Sequence, residues 1–100
     1  MRVISSQNFT DEQIVEEKKK QLIGEEKISL PVLHVEDDIF ILTDGHHRLE
    51  AAKELGIEIS FYEVEKHETF VGSDATPDEI YEAFWDNGDY RDVMTGDFVW

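Results

Sequence analysis

One short segment of the sequence concentrates side chains that can bind an anion or move a proton. It reads Asp44-Gly45-His46-His47-Arg48 and stands between a β-branched apolar stretch and a stretch rich in Ala and Leu. This pattern predicts a strand, a turn and then a helix. The first backbone N–H groups of a helix lack intrahelical partners and lie at the positive end of its dipole, where anions bind. The segment therefore predicts a phosphate-binding turn.

Each residue of this segment has a role in such a site. Gly45 lets the backbone come close to a ligand. His46, His47 and Arg48 can donate hydrogen bonds to phosphate oxygens, and Arg48 can donate two in parallel. Asp44 can hold Mg²⁺ or accept the proton of a hydroxyl group. We expect Asp44 to be the catalytic and metal-binding residue, and the other four to contact the phosphates of a nucleotide.

An alternative use of the same segment is a metal site, built from the side chains of His34, Asp44, His46 and His47. Adjacent residues of a helix point about 100° apart, so His46 and His47 are poorly placed to chelate one ion. Ser5 and Ser6 carry no motif of an activated nucleophile. Phosphate binding is therefore favoured over a metal centre.

The composition limits the classes of partner. The chain has 100 residues, with 24 Asp and Glu against nine Lys and Arg, and a formal net charge of −15. This charge disfavours direct DNA binding and anionic membrane surfaces, and it favours solubility or a basic protein partner. No apolar run approaches the ~20 residues of a membrane helix, and the first residues are not typical of a signal peptide. We expect a cytoplasmic protein that has no membrane association and, without cysteine, no thiolate chemistry.

The elements before the turn follow from apolar patterns and capping residues. Met1–Ile4 predicts a short edge or entry strand. Thr10 predicts the cap of a helix that ends at Gly24. Ile28–Val35 and Ile39–Thr43 are rich in β-branched residues and predict a β-hairpin.

The elements after the turn complete one mixed α+β domain over residues 1–100. A helix from Leu49 ends at Gly56, and Ile57–Val64 predicts the next strand. Thr76-Pro77-Asp78-Glu79 is typical of a helix start with a capping box. We expect a mixed sheet with three main helices, a core over about 3–65, and a C-terminal helix and tail over 76–100 that packs on the domain. The side chains expected to face inward on the first two helices are Ile14, Val15, Leu22, Ile23, Leu49, Ala52 and Leu55.

The stretch from Asp44 to Gly56 resembles the signature of the ParB/sulfiredoxin superfamily, in particular of its Asp-Gly-His-His-Arg members. The order of predicted elements over about residues 3–64 is also similar: helix, hairpin, motif, helix, strand. In that superfamily this turn holds the phosphates of ATP, ADP or CTP, and its members include partition CTPases, sulfiredoxins and free-serine kinases. The resemblance implies that Gly45, His46, His47 and Arg48 contact those phosphates. It implies that Asp44 is the catalytic or metal-associated acid.

Departures from the superfamily narrow the expected activity. Sulfiredoxin chemistry needs a Cys in this turn, where this chain has His46. A partition protein needs a DNA-binding helix-turn-helix and a basic surface, and the serine kinases carry an upstream acid that residues 5–10 lack. We therefore expect a nucleotide-binding protein, with phosphoryl transfer or nucleotide hydrolysis as its reaction. The alternative is a non-enzymatic acidic protein of antitoxin, immunity or nucleic-acid-mimic type that binds a basic protein.

Overall fold

Apolar, β-branched stretches form a five-stranded sheet in a computed structural model, which describes residues 1–7, 10–86 and 88–98. The same described residues also form three α-helices and one 3₁₀ turn over Lys66–Glu68. The predicted mixed α+β class with three main helices is confirmed. The strands are β1 (Arg2–Ser5), β2 (Lys27–Glu36), β3 (Ile39–Leu42), β4 (Glu58–Val64) and β5 (Arg91–Asp92), and the helices are α1 (Glu12–Leu22), α2 (His46–Leu55) and α3 (Pro77–Ala83).

The strand order across the sheet is β4-β2-β3-β1-β5. The predicted hairpin is present as the antiparallel pair of β2 and β3, while β1 runs parallel to β3 and β4 runs parallel to β2. Strand β5 pairs antiparallel with β1 and covers its outer edge. The first strand therefore lies inside the sheet, and the C-terminal tail supplies the edge. The tail residues Asn87, Val99 and Trp100 lie outside the described ranges.

The pleat of the sheet divides the core between two faces. Leu30 and Val32 of β2 belong to one apolar cluster, and Leu33 belongs to the other, because successive side chains of a strand point to opposite faces. Helices α1 and α2 pack on the first face, and α3 packs on the second through Ile80. The site at the start of α2 and the exposed surface of α3 are therefore on opposite sides of the sheet.

The start of α1 differs from the prediction by one residue. Asp11, and not Thr10, is the N-cap, and its Oδ1 accepts hydrogen bonds from the N–H groups of Gln13 (2.8 Å) and Ile14 (3.3 Å). A carboxylate accepts these bonds more strongly than a hydroxyl does, and its negative charge interacts favourably with the positive end of the helix dipole. The start of α3 is as predicted, since Thr76 and Glu79 form a capping box.

Three apolar side chains that were expected in the core are exposed: Ile14 (38%), Ile23 (74%) and Leu55 (39%). Ile14 precedes the buried Val15, and adjacent helical residues diverge by about 100°, so both cannot face the sheet. Ile23 follows the last residue of α1 and turns outward with the chain. Val15, Leu22, Leu49 and Ala52 are buried as predicted.

Candidate functional site

The turn between β3 and α2 requires a glycine for two separate reasons. Gly45 is the N-cap of α2 and has a φ of +86°, in the left-handed region that side chains disfavour. A Cβ atom at this position would lie 2.7 Å from Cδ2 of Leu30, whose side chain is fully buried. The predicted strand–turn–helix unit is present, and Gly45 allows the turn to lie directly on the core.

The Asp44 carboxylate and the unpaired backbone N–H groups at the start of α2 both belong to this turn. Asp44 is exposed, and its Oδ1 accepts a hydrogen bond from the N–H of Gly45 at 2.8 Å. The N–H of Leu49 donates to the carbonyl oxygen of Gly45 at 2.9 Å and so begins the hydrogen-bond ladder of α2. The N–H groups of the three preceding residues, 46–48, come before this ladder and are the groups that can receive an anion.

His46 forms a pair with a serine that sequence reasoning missed. Its Nε2 lies 2.7 Å from Oγ of Ser5, at the end of β1, and this hydroxyl also accepts the N–H of Gln7 at 3.0 Å. Burial lowers the pKa of His46, although the charge of Asp44 opposes that shift. The His46 imidazole is therefore neutral at neutral pH, and its hydrogen bond to the Ser5 hydroxyl fixes the orientation of the His46 ring. No local motif indicates the pair, because the two residues are 41 positions apart.

His47 holds the start of α1 against the start of α2. Its Nε2 accepts a hydrogen bond from the backbone N–H of Asp11 at 3.2 Å, so this nitrogen carries no proton. In the neutral ring the proton is then on Nδ1, which is the donor that His47 can offer a ligand. The Nε2 atoms of both histidines are thus used within the protein, and the N–H groups of the turn and Arg48 carry more of the expected phosphate contact.

A cleft of about 340 Å³ opens at this turn. Lys18 from α1 and Arg48 from α2 line it together with the Asp44–His47 turn, and Tyr62 of β4, half exposed, stands at its wall. Neither Lys18 nor Arg48 forms an ion pair with any residue the structure describes. In a chain of net charge −15, two cations beside a helix N-terminus, with no ion-pair partner among the described residues, form a local positively charged surface of the kind that attracts anions. Sequence reasoning missed Lys18 and Tyr62, since only packing brings them to the turn.

The His and Asp side chains at and near the turn could also be considered as ligands of a metal ion. Within the described ranges no three His, Asp or Glu side chains come together as a metal site. Nε2 of His34 donates to the carbonyl oxygen of Asp37 at 2.8 Å, in the β2–β3 turn, so the alternative four-residue site gains no support. A nucleotide-bound Mg²⁺ needs only one or two carboxylates, because phosphates and water supply its other ligands. Asp44, which is exposed and lines the cleft, fits that smaller requirement.

No family model, no curated protein and no solved structure matches the chain. The ParB/sulfiredoxin resemblance therefore remains a prediction that rests on the Asp44–Gly56 stretch. Among the described residues, no helix has the length and apolar character needed to cross a bilayer.

Protonation of His46 is expected to destabilise the fold. Burial lowers its pKa in the folded chain, whereas an unfolded histidine titrates near pH 6.5, so the unfolded state binds more protons just below that pH. The free energy of unfolding should therefore fall as the pH drops from about 7.5 to about 5.5. Urea unfolding across this range measures the effect, and NMR titration of the His46 ring measures the pKa itself.

A matched pair of variants separates His46 from the other titrating groups. His46→Gln should show a shallower pH dependence than the wild type, while His67→Gln, at an exposed position, should keep the wild-type slope. A ring pKa at or above about 6.5 would contradict the prediction.

Proposed function

We propose that this chain binds the phosphates of a nucleotide at the start of α2. The observation that carries the proposal is the cleft of about 340 Å³ in which Lys18, Arg48 and the first N–H groups of α2 converge. A phosphate at those N–H groups would be within the positive end of the helix dipole. Arg48 can hold a phosphate through two parallel hydrogen bonds, and Lys18 adds a point charge from the facing helix. ATP, ADP and CTP are the ligands to compare.

The residues of the turn also support phosphoryl transfer or hydrolysis, which we propose as the associated reaction. Mg²⁺, bound through Asp44 and the phosphates, would supply charge neutralisation. Asp44 can also accept the proton of an attacking hydroxyl or water as the new P–O bond forms and the bond to the leaving phosphate breaks. Arg48 neutralises charge on the transferred group. Catalysis of this kind needs little more than positioning and electrostatics, which the turn provides.

Calorimetric titration tests the binding. Wild-type protein with Mg²⁺ should release or absorb heat with at least one of ATP, ADP and CTP, and none with adenosine, which has the base but no phosphate. Phosphorus NMR of the same mixtures reports whether the terminal phosphate is transferred or released, and Asp44→Asn should slow that reaction. Absence of heat with all three nucleotides would show the proposal to be wrong.

A second candidate function is capture of a basic protein by the acidic surface, without catalysis. It is favoured by the net charge of −15 and by a second, larger cleft beside α3 whose lining includes four carboxylates. Binding of a cationic peptide that weakens between about 0.05 M and about 0.5 M salt would support it, because screening shortens the reach of exposed charges. The affinity for the cationic peptide should be unchanged in Asp44→Asn.

A further inference from the structure

An aromatic-walled cleft of about 700 Å³ lies beside α3, the helix that packs on the opposite face of the sheet from α2. Tyr81, Trp85 and Tyr90 line it, and the two tyrosine rings meet edge to face with centroids 5.6 Å apart. Trp85 is 60% exposed and lines the cleft together with the two tyrosines, and a contiguous exposed aromatic surface of this kind marks an interaction site. The cleft therefore offers an aromatic surface that a partner can reach.

Hydrogen bonds hold the walls of this cleft in place. The hydroxyl of Tyr81 donates to Oε2 of Glu36 at 2.8 Å, which ties α3 to the end of β2. The hydroxyl of Tyr90 donates to the carbonyl oxygen of Tyr81 at 2.6 Å. A ligand would therefore meet rings that are already oriented, and binding would cost less ordering of side chains.

The face that α3 turns to this cleft is separate from the face that it buries. Asp78, Tyr81 and Glu82 follow the spacing i, i+3 and i+4 of one helix face and line the cleft. Trp85, which lies two residues beyond the end of α3, lines the cleft beside them. Ile80, by contrast, is fully buried in the core. The helix and the residues that follow it thus present carboxylate and aromatic side chains to the cleft.

The charge at the cleft has a single sign. Glu36, Asp78, Glu82 and Asp89 line it, and none of the described lining residues is Lys, Arg or His. Asp78 and Glu82 take part in none of the ion pairs between described residues. An anionic or purely apolar partner would leave these carboxylates repelled or desolvated, which costs free energy. A cation that can also stack on aromatic rings complements both properties.

We propose that this cleft is the docking site for an arginine-bearing segment of a basic partner protein. A guanidinium group stacks on the face of a tryptophan or tyrosine ring and forms parallel hydrogen bonds to a carboxylate. Lysine offers only a strongly hydrated point charge, so it should bind more weakly. The inference rests on the second proposed function and names its contact surface; it is independent of nucleotide binding.

A blocked peptide, acetyl-Gly-Arg-Gly-Gly-Arg-Gly-amide, is the probe. Its dissociation constant is measured by NMR titration of the ¹⁵N-labelled full chain, from backbone amide signals in every variant and also from the Trp85 indole signal where Trp85 is present. We expect the Lys analogue to bind severalfold more weakly than the Arg peptide. Trp85→Ala should raise the dissociation constant of the Arg peptide by about tenfold. Circular dichroism of each variant checks that it is folded.

Two double variants carry the same charge change. Asp78→Asn/Glu82→Gln removes two carboxylates from the cleft, and Glu17→Gln/Glu58→Gln removes two exposed carboxylates elsewhere. The cleft pair should raise the dissociation constant of the Arg peptide by about fivefold or more, whereas the control pair should change that constant less than about twofold. ATP titration should be unchanged in both pairs.

The possible results are distinguishable. Equal weakening by the two pairs, with no effect of Trp85→Ala, would mean that the peptide binds diffusely to the acidic surface; the docking site would then be wrong and the second proposed function would stand. No binding of the peptide by the wild type would overturn both. A shift of the Trp85 signal in the wild type supports the site when two further results accompany it. The affinity for the Arg peptide, read from backbone amide signals in every variant, must fall in both the cleft pair and Trp85→Ala, and it must stay near the wild-type value in the control pair.

Discussion

Replacing Lys18 and Arg48 together by Ala should weaken nucleotide binding by about a hundredfold, if the proposed phosphate site is correct. A hydrogen bond to a charged group contributes about 1.5–3 kcal/mol, and about 1.4 kcal/mol corresponds to a tenfold change in the dissociation constant. Each of these cations should therefore account for about tenfold or more. Calorimetry with Mg²⁺ and the tightest of ATP, ADP and CTP measures the loss. Arg48→Lys should fall between the wild type and Arg48→Ala, because lysine keeps the charge and loses the parallel hydrogen bonds.

The matched control for that pair is Lys20→Ala/Lys27→Ala. Both lysines are exposed, neither lines the cleft, and the change in net charge is the same. This control should reduce binding less than about twofold, since exposed charges at a distance are screened by salt. Equal losses in the two double variants would mean that the nucleotide responds only to the overall charge, and the assignment of the site to the start of α2 would be wrong.

Gly45→Ala should lower the free energy of unfolding by about 2–3 kcal/mol. The left-handed conformation at φ +86° costs a residue with a side chain about 1–2 kcal/mol. The new methyl group would also lie 2.7 Å from Cδ2 of the buried Leu30, and moving a packed core side chain adds about 1 kcal/mol or more. Urea unfolding at pH 7.5 measures the change. Nucleotide binding should weaken as well, because the turn that presents the N–H groups of α2 would shift.

Gly56→Ala is the control that separates these two costs. Gly56 ends α2 with a φ of +71°, and a Cβ atom there would meet nothing within 4 Å. Only the conformational cost of about 1–2 kcal/mol should appear, and nucleotide binding should be unaffected. Equal destabilisation by the two variants would mean that the contact with Leu30 adds nothing and that the turn tolerates displacement from the core.

The turn between β3 and α2 was predictable because every signal for it is local. An apolar stretch ends before Asp44, Gly45 supplies the left-handed residue, and the following Ala and Leu residues favour a helix. The Thr76 capping box was predictable for the same reason, since its two partners are three residues apart. Local patterns were less reliable where neighbours compete, as at Thr10 and Asp11, which both carry oxygen atoms that can cap the same helix.

Local residue patterns account for the elements, the turn and the acidic character of this chain, whereas the tertiary packing sets which side chains meet. Ser5 reaches His46 across 41 residues, and the Asp11 backbone reaches His47 across 36. Tyr81 reaches Glu36 across 45. The periodicity of a helix or strand indicates which residues share a face, but it does not indicate which faces pack together. That choice depends on strand order and on the two faces of the sheet. It brings Lys18 to Arg48 on one side and leaves Trp85 among carboxylates on the other.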